Sequence, residues 1–228
     1  MTGRPGPVRL EASILAADFV HLGDAIAAVE RAGIDAIHVD VMDGRFVPEI
    51  TIGPVIIEAV RRVSRLPIDV HLMVVEPERH LASVARAGAT AITVHAEVAP
   101  HLHRLIQQIK DLGARAAVAL NPATPLGTVE RVLPDLDMVL LMTVNPGYAG
   151  QQFIASVVPK IRDLRAALTE GGLDVDLQVD GGIDERTANQ CVAAGANVLV
   201  AATAIFKGEG GIEASVRRLR SAVGPADG

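Results

Sequence analysis

Four residues carry side chains that bind metals and move protons at spacings that would let them meet: His38 and Asp40 in AIHVDVM, His71 in DVHLM and Asp180 in QVD. Along an extended strand alternate residues share a face, so His38, Asp40 and Met42 point one way while Ile37, Val39 and Val41 point the other. Two neutral imidazoles and two carboxylates make a borderline-hard donor set. It suits zinc, iron(II), manganese or cobalt, and suits magnesium or calcium less well. No cysteine joins the set, which argues against a structural zinc site. Each histidine taken singly reads as a core residue bonded to a backbone carbonyl. Asp40 does not read that way, because an unpaired buried carboxylate is costly. Four such residues at equivalent strand ends predict one divalent metal ion per subunit, with Zn2+ the leading choice and Fe2+, Mn2+ or Co2+ the alternatives.

A metal that chelates a carbonyl and the neighbouring hydroxyl acidifies the carbon bearing that hydroxyl and stabilises the enediolate left when the proton departs. Asp40 is the expected proton acceptor and Asp180, from across the barrel, the expected donor on the opposite face. Acids on opposite faces of one carbon imply epimerisation, and an acid and base on one face imply aldose-ketose isomerisation. The spacing leaves that choice open. Glycine-rich segments late in the chain predict a phosphate grip: NPGYAGQQF, DGGI, and AATAI followed by FKGEGG. Glycines let backbone amides approach an anion. Met42, Met73 and Met142 sit near strand ends, where methionine reads either as core filler or as an apolar cover that keeps water from a charged intermediate.

Elements must hold these groups together. RLEASIL, AIHVDVM, IDVHLMV, AITVHAEV, ARAAVALN, MVLLMTV, DLQVDGG and VLVAATAI read as strands, with helical patterns between them that include TPLGTVERVL in the fifth unit. Gly33, Gly88, Gly113 and Gly195 stand where helices should close. Strongly apolar strands alternating with helices predict a parallel sheet covered by helices, as one α/β domain spanning 1–228 with loose ends at 1–7 and 224–228. Eight units fit a single (β/α)8 TIM barrel, with an open doubly wound sheet the runner-up. Barrel chemistry belongs at the carboxyl ends of strands, and Ser13, His38, Asp40, His71, His95, Glu97, Asn121 and Asp180 obey that rule. His95 and Glu97 read equally as support for the site or as satisfied polar strand ends. His101 and His103 in HLHR read as a solvated surface, and the lone Cys191 as a small buried apolar residue.

Of the 228 residues half are hydrophobic, enough for one large core. With 27 acidic against 21 basic residues, four Phe, one Tyr and no Trp, the chain has neither a basic footprint nor a base-stacking platform for nucleic acid. No apolar run reaches the roughly 18 to 20 residues of a membrane span, and MTGRPGPVR lacks a signal-peptide core. A soluble, cytoplasmic protein is expected, as a homo-oligomer of unspecified size acting on a small phosphorylated ketose.

SILAADF, HVDVMDGRFVP, DVHLMV, ALNPATP, LMTVNPGYAGQQF and QVDGGI together resemble the ribulose-phosphate 3-epimerase family, and the resemblance spans nearly the whole chain. It implies a metal-dependent (β/α)8 enzyme interconverting D-ribulose 5-phosphate and D-xylulose 5-phosphate. His38, Asp40, His71 and Asp180 match that family's metal ligands, with Asp40 the proton acceptor and Asp180 the donor. Ser13 matches a sugar contact, Met42, Met73 and Met142 match methionines over the intermediate, and Gly147, Tyr148, Ala149, Gly150, Gly181 and Gly182 match phosphate-contacting loops. The family usually reads Gly-Phe-Gly-Gly over 147–150 and Gly-Ser where this chain has Ala202 and Thr203. Thr203 keeps a hydroxyl for phosphate, whereas Ala202 gives up glycine-only backbone angles, so the grip is expected to shift there. Ala149 resembles relatives acting on six-carbon ketose phosphates, such as allulose 6-phosphate. A phosphosugar lyase or decarboxylase on the same barrel is the remaining alternative, and it would require a lysine beside the carboxylates.

Overall fold

The computed structural model describes residues 7–224, so the expected loose ends fall outside the described residues except for Pro7 and Gly224. Eight short strands form where the apolar runs stood: β1 (Arg9–Ser13), β2 (Ala36–Met42), β3 (Ile68–Met73), β4 (Ala91–His95), β5 (Arg115–Leu120), β6 (Met138–Met142), β7 (Asp176–Asp180) and β8 (Val198–Ala201). Each pairs in parallel with the next, and β8 returns to pair with β1. Closure removes both edges, which settles the choice between barrel and open sheet.

The outward residues of the strands, among them Leu10, Ile37, Val39, Val70 and Ile92, pack in the main core against a ring of amphipathic helices. These are α1 (Leu22–Arg31), α2 (Pro54–Val63), α3 (Leu81–Ala87), α4 (Leu102–Asp111), α5 (Val158–Glu170), α6 (Glu185–Ala193), the short α7 (Thr203–Phe206) and α8 (Gly211–Val223). Ile26, Ile57, Ile106 and Leu219 face inward from them, essentially without exposure. Each such side chain contributes about 1.5–3 kcal/mol of transfer free energy. The four glycines expected to close helices all take positive φ.

One expected helix is absent. TPLGTVERVL forms only two 3-10 segments, Leu126–Thr128 and Glu130–Asp135. Pro134 lies inside the second, where it removes a backbone donor and crowds the preceding turn, and Gly127 weakens the first. Val129 and Leu133 still bury against the sheet, so the fifth unit keeps its apolar face without a regular helix.

The barrel interior is divided. Ala117, Met138 and Val198 form one small apolar cluster, and Ala119, Leu140, Met142 and Val144 another, on the β5, β6 and β8 side. Strands β1 to β4 bury Glu11, Ser13, His38, Asp40, Asp69, His71, Thr93 and His95 in the interior, and Gln178 joins them from β7. Register stacks these in layers: His38 beside Asp69, Asp40 beside His71 and Met42 beside Met73. A barrel filled for stability alone would use branched aliphatic residues here.

Candidate active site

Strand β2 ends in a turn built by Asp43. Its Oδ1 accepts from the backbone N–H groups of Arg45 at 2.8 Å and Phe46 at 2.9 Å, and its Oδ2 from Val75 N–H at 2.8 Å. One carboxylate thus ties the β2 loop to the β3 loop, above the strand ends that carry the expected ligands. Gly182, after β7, takes φ +65°, and a Cβ there would lie 2.7 Å from Phe153 N and 2.9 Å from Phe153 Cα. Glycine is demanded at 182 by backbone packing as well as by any anion. Asp184 and Thr187 then cap α6 reciprocally, which fixes the exit from β7.

His38, Asp40, His71 and Asp180 converge, each with a ligand atom within 4.8 Å of the others. His38 Nε2 lies 3.4 Å from Asp40 Oδ1, and His71 Nδ1 lies 3.2 Å from Asp40 Oδ1 and 3.8 Å from Asp180 Oδ2. Both histidines are fully buried, and His38 Nε2 has no hydrogen-bond partner. An imidazole nitrogen left bare beside two carboxylates is costly in an empty interior and natural in a cation site. The residues therefore fit a divalent ion. Ser13 Oγ donates to Asp40 Oδ2 at 2.6 Å, so the serine expected to meet sugar also orients this carboxylate.

Electrostatics separate the two aspartates. Burial opposes charge on Asp40, but His38 and His71 outweigh it and hold the carboxyl well below the usual range. Asp180 is pushed up to about 7 by burial and then by the charge of Asp40. Burial likewise opposes charge on His38, yet Asp40 and Asp69 hold it well above its ordinary value. A metal ion would invert this local logic, displacing protons from its ligands.

Three polar residues below the ligands escaped the sequence reading. Asp69 Oδ2 is 3.0 Å from His38 Nδ1, and Gln178 Nε2 donates at 2.8 Å to both Asp69 Oδ2 and Glu11 Oε2. The signal was present, since Asp69 alternates with His71 and Gln178 with Asp180. His95 and Glu97 also bond toward the site: His95 Nε2 lies 2.9 Å from His71 Nε2, and His95 Nδ1 lies 3.0 Å from Glu97 Oε2. Burial lowers His95 to about 4, while Glu97 falls to about 2 because its bonds to His95, Thr124 and Asn121 outweigh burial. Asn121 contributes its backbone N–H rather than its side chain.

Above the cluster opens a cavity of about 690 Å³ whose lining includes Ser13, Asp40, Asp180 and all three methionines. Met42 and Met73 pack together with Val47, Leu15 and Phe46, whereas Met142 belongs to the apolar wall with Val144. The far side is lined by Gly147, Tyr148, Ala149 and Gly150, by Gly181 and Gly182, and by Ala202 and Thr203. Lys207, Arg186 and Arg218 line it as well, a basic contribution that the sequence reading did not assign. Arg218 is held by Glu185 at 2.8 Å, the Glu209 carbonyl at 2.9 Å and Ser215 at 3.1 Å.

The alanine departures have a simple backbone explanation. Ala202 takes φ −115° and ψ −85°, and Glu76 is the only non-glycine with positive φ among the described residues. The angles expected to be lost at Ala202 are therefore not used, and Ala149 does not need them either. Gly147 at φ 140° and Gly150 at φ 81° keep glycine where left-handed backbone requires it.

A family model described as the ribulose-phosphate 3 epimerase family matches residues 9–206. The chain belongs to the ribulose-phosphate 3-epimerase family. Ribulose-phosphate 3-epimerase of Bacillus subtilis is 55% identical over 87% of this chain and 92% of its own. That of Synechocystis is 54% identical over 85% of each chain. A variant tryptophan synthase alpha-subunit from Pyrococcus furiosus superposes with a TM-score of 0.68 at 17% identity, over 96% of this chain and 99% of that one, a likeness of fold alone. Members of the epimerase family are isomerases, and this chain is an enzyme of that class. No helix among its described residues is long and apolar enough to cross a membrane.

Proposed function

We propose that this family member is a metal-dependent 3-epimerase interconverting D-ribulose 5-phosphate and D-xylulose 5-phosphate. The observation that carries the reading is the convergence of Asp40 and Asp180, from β2 and β7, beside two imidazoles at the floor of a cavity whose far wall is glycine-rich loop. A divalent ion held by His38, Asp40, His71 and Asp180 supplies Lewis-acid charge that stabilises negative charge developing on substrate oxygens. Asp40 takes the proton from C3. Asp180 returns one to the opposite face and so inverts the centre. Backbone amides around Gly147 to Gly150, Gly181 and Gly182, with the Thr203 hydroxyl, hold the phosphate. Lys207 and Arg186 add positive charge on the same side. Met42, Met73 and Met142 keep water from the enediolate.

The names of the relatives favour the pentulose over the six-carbon substrate. Neither Asp40 nor Asp180 has a lysine among its hydrogen-bond or ion-pair partners within the described residues, which disfavours the lyase alternative. The test is interconversion of the two pentulose phosphates by Zn2+-loaded protein, with exchange of the C3 proton into solvent. Asp40→Asn and Asp180→Asn should each lose at least about a hundredfold in kcat, the scale of acid-base catalysis. Both variants retaining wild-type turnover would sink the two-aspartate reading.

A further inference from the structure

The two ring nitrogens of His71 face different surroundings. Nδ1 points into the ligand cluster, 3.2 Å from Asp40 Oδ1, while Nε2 lies 2.9 Å from Nε2 of His95, the rings stacked with centroids 5.0 Å apart. Beyond it, His95 Nδ1 lies 3.0 Å from Glu97 Oε2. Glu97 Oε1 in turn accepts from the Asn121 backbone N–H at 2.8 Å and from the Thr124 hydroxyl. Phe46 covers His95, its ring centroid 4.6 Å away, and His95 has no exposure.

These contacts are directional. A nitrogen that ligates a metal must offer a lone pair, and a neutral imidazole carries a single proton, so a metal at His71 Nδ1 requires that proton on Nε2. Two nitrogens 2.9 Å apart share one proton. If His71 Nε2 donates, His95 Nε2 must be bare, and the His95 proton then sits on Nδ1, where it meets Glu97. The far end is anchored because a backbone N–H can only donate, so an ionised Glu97 offers nothing but acceptors. His38 uses the opposite nitrogen, spending Nδ1 on Asp69 and leaving Nε2 without a hydrogen-bond partner.

We propose that His95 and Glu97 are positioning residues that hold His71 in the tautomer with Nε2 protonated and Nδ1 bare, presenting Nδ1 to the metal. The inference rests on the metal reading above, and it explains why a histidine that touches no cavity space is buried at the end of β4 with its Nδ1 on the carboxylate two residues further on. Such outer partners fix both ring orientation and ligand basicity.

Glu97→Gln tests the direction of the chain. The amide oxygen must stay toward Asn121 N–H, since its N–H groups would oppose that donor, so its nitrogen faces His95 Nδ1. His95 then accepts at Nδ1, carries its proton on Nε2 and donates to His71, whose own proton moves to Nδ1 and competes with the metal. Two readouts are taken on the full chain: Zn2+ affinity by chelator competition, and ring protonation by nitrogen NMR, with and without zinc. Wild type should show His95 protonated on Nδ1 only, in both states. Glu97→Gln should show His95 protonated on Nε2 and bind Zn2+ about 10- to 100-fold more weakly. A wild-type His95 protonated on Nε2 or on both nitrogens overturns the proposal, and that measurement needs no variant to fold. So does a Glu97→Gln affinity within about twofold of wild type, or a weakened affinity with His95 unchanged, which would mark a merely structural role. If wild type binds no Zn2+, the metal reading is what fails, and the His95 spectrum still decides the direction of the hydrogen bonds.

Discussion

Replacing Glu11 by glutamine is expected to stabilise the metal-free chain, and to do so only as the pH rises. Glu11 is 6% exposed at the start of the barrel interior, accepts from Gln178 Nε2 at 2.8 Å and lies in the same cluster as Asp69 and His38. Burial, and then the negative charge of Asp69, push its carboxyl from an ordinary 4.5 up to about 7. A folded-state value above the unfolded one contributes stability that is fully present below pH 4.5 and is lost as pH rises through 7. The gap between 7 and 4.5 corresponds to about 3 kcal/mol, the cost at alkaline pH of keeping a charge that the unfolded chain solvates freely. Glutamine keeps an oxygen for Gln178 and offers Asp69 an N–H in place of the acid O–H. Urea unfolding of chelator-treated wild type and Glu11→Gln near pH 5, 7 and 9 measures the difference. It should be no more than about 1 kcal/mol at the lowest pH, reach about 3 kcal/mol by pH 7 and change little above it. A difference that does not grow with pH, or a variant less stable throughout, would refute the claim that this carboxyl is charged at a loss.

Gly182→Ala places a methyl against the Phe153 backbone at a residue with positive φ. A stability loss of about 2–4 kcal/mol by denaturant unfolding is expected from overpacking and backbone strain together, and a loss under about 0.5 kcal/mol would show that the β7 loop yields. Adding Zn2+ at about one hundred times its Kd should raise the unfolding free energy by about 2.7 kcal/mol, whereas Asp40→Asn, missing a ligand, should gain much less at the same concentration. Equal gains in both would place the ion elsewhere.

The residues that meet at the floor of the cavity were legible as letters because strand alternation is a local rule. His38 and Asp40 share a face whatever the fold, and the β–α alternation that pairs parallel strands brings His71 beside them. The left-handed glycines at helix ends are local for the same reason. The fifth unit was misread because apolar periodicity is also local, while the effect of Pro134 depends on turns that the pattern of apolar residues does not reveal. The interior chain from His71 through His95 to Glu97, anchored by Asn121 and Thr124, was not legible. It depends on which ring nitrogen faces which neighbour, and a nitrogen's surroundings are set by β3, β4 and the β5 loop at once.

By itself, then, the sequence determined the set of chemically able side chains, their strand faces and the eightfold alternation that puts them at one end of a sheet, since each follows from the geometry of a few consecutive residues. Only the tertiary structure decided that the sheet closes and that Asp180 reaches Asp40 across the interior. It also decided that Ala202 and Ala149 stand where glycine is not required, that His38 Nε2 is left without a hydrogen-bond partner, and that His71 spends one nitrogen on Asp40 and the other on His95. Those are distances and directions between residues far apart in the chain, and they exist only once burial has brought the strands together.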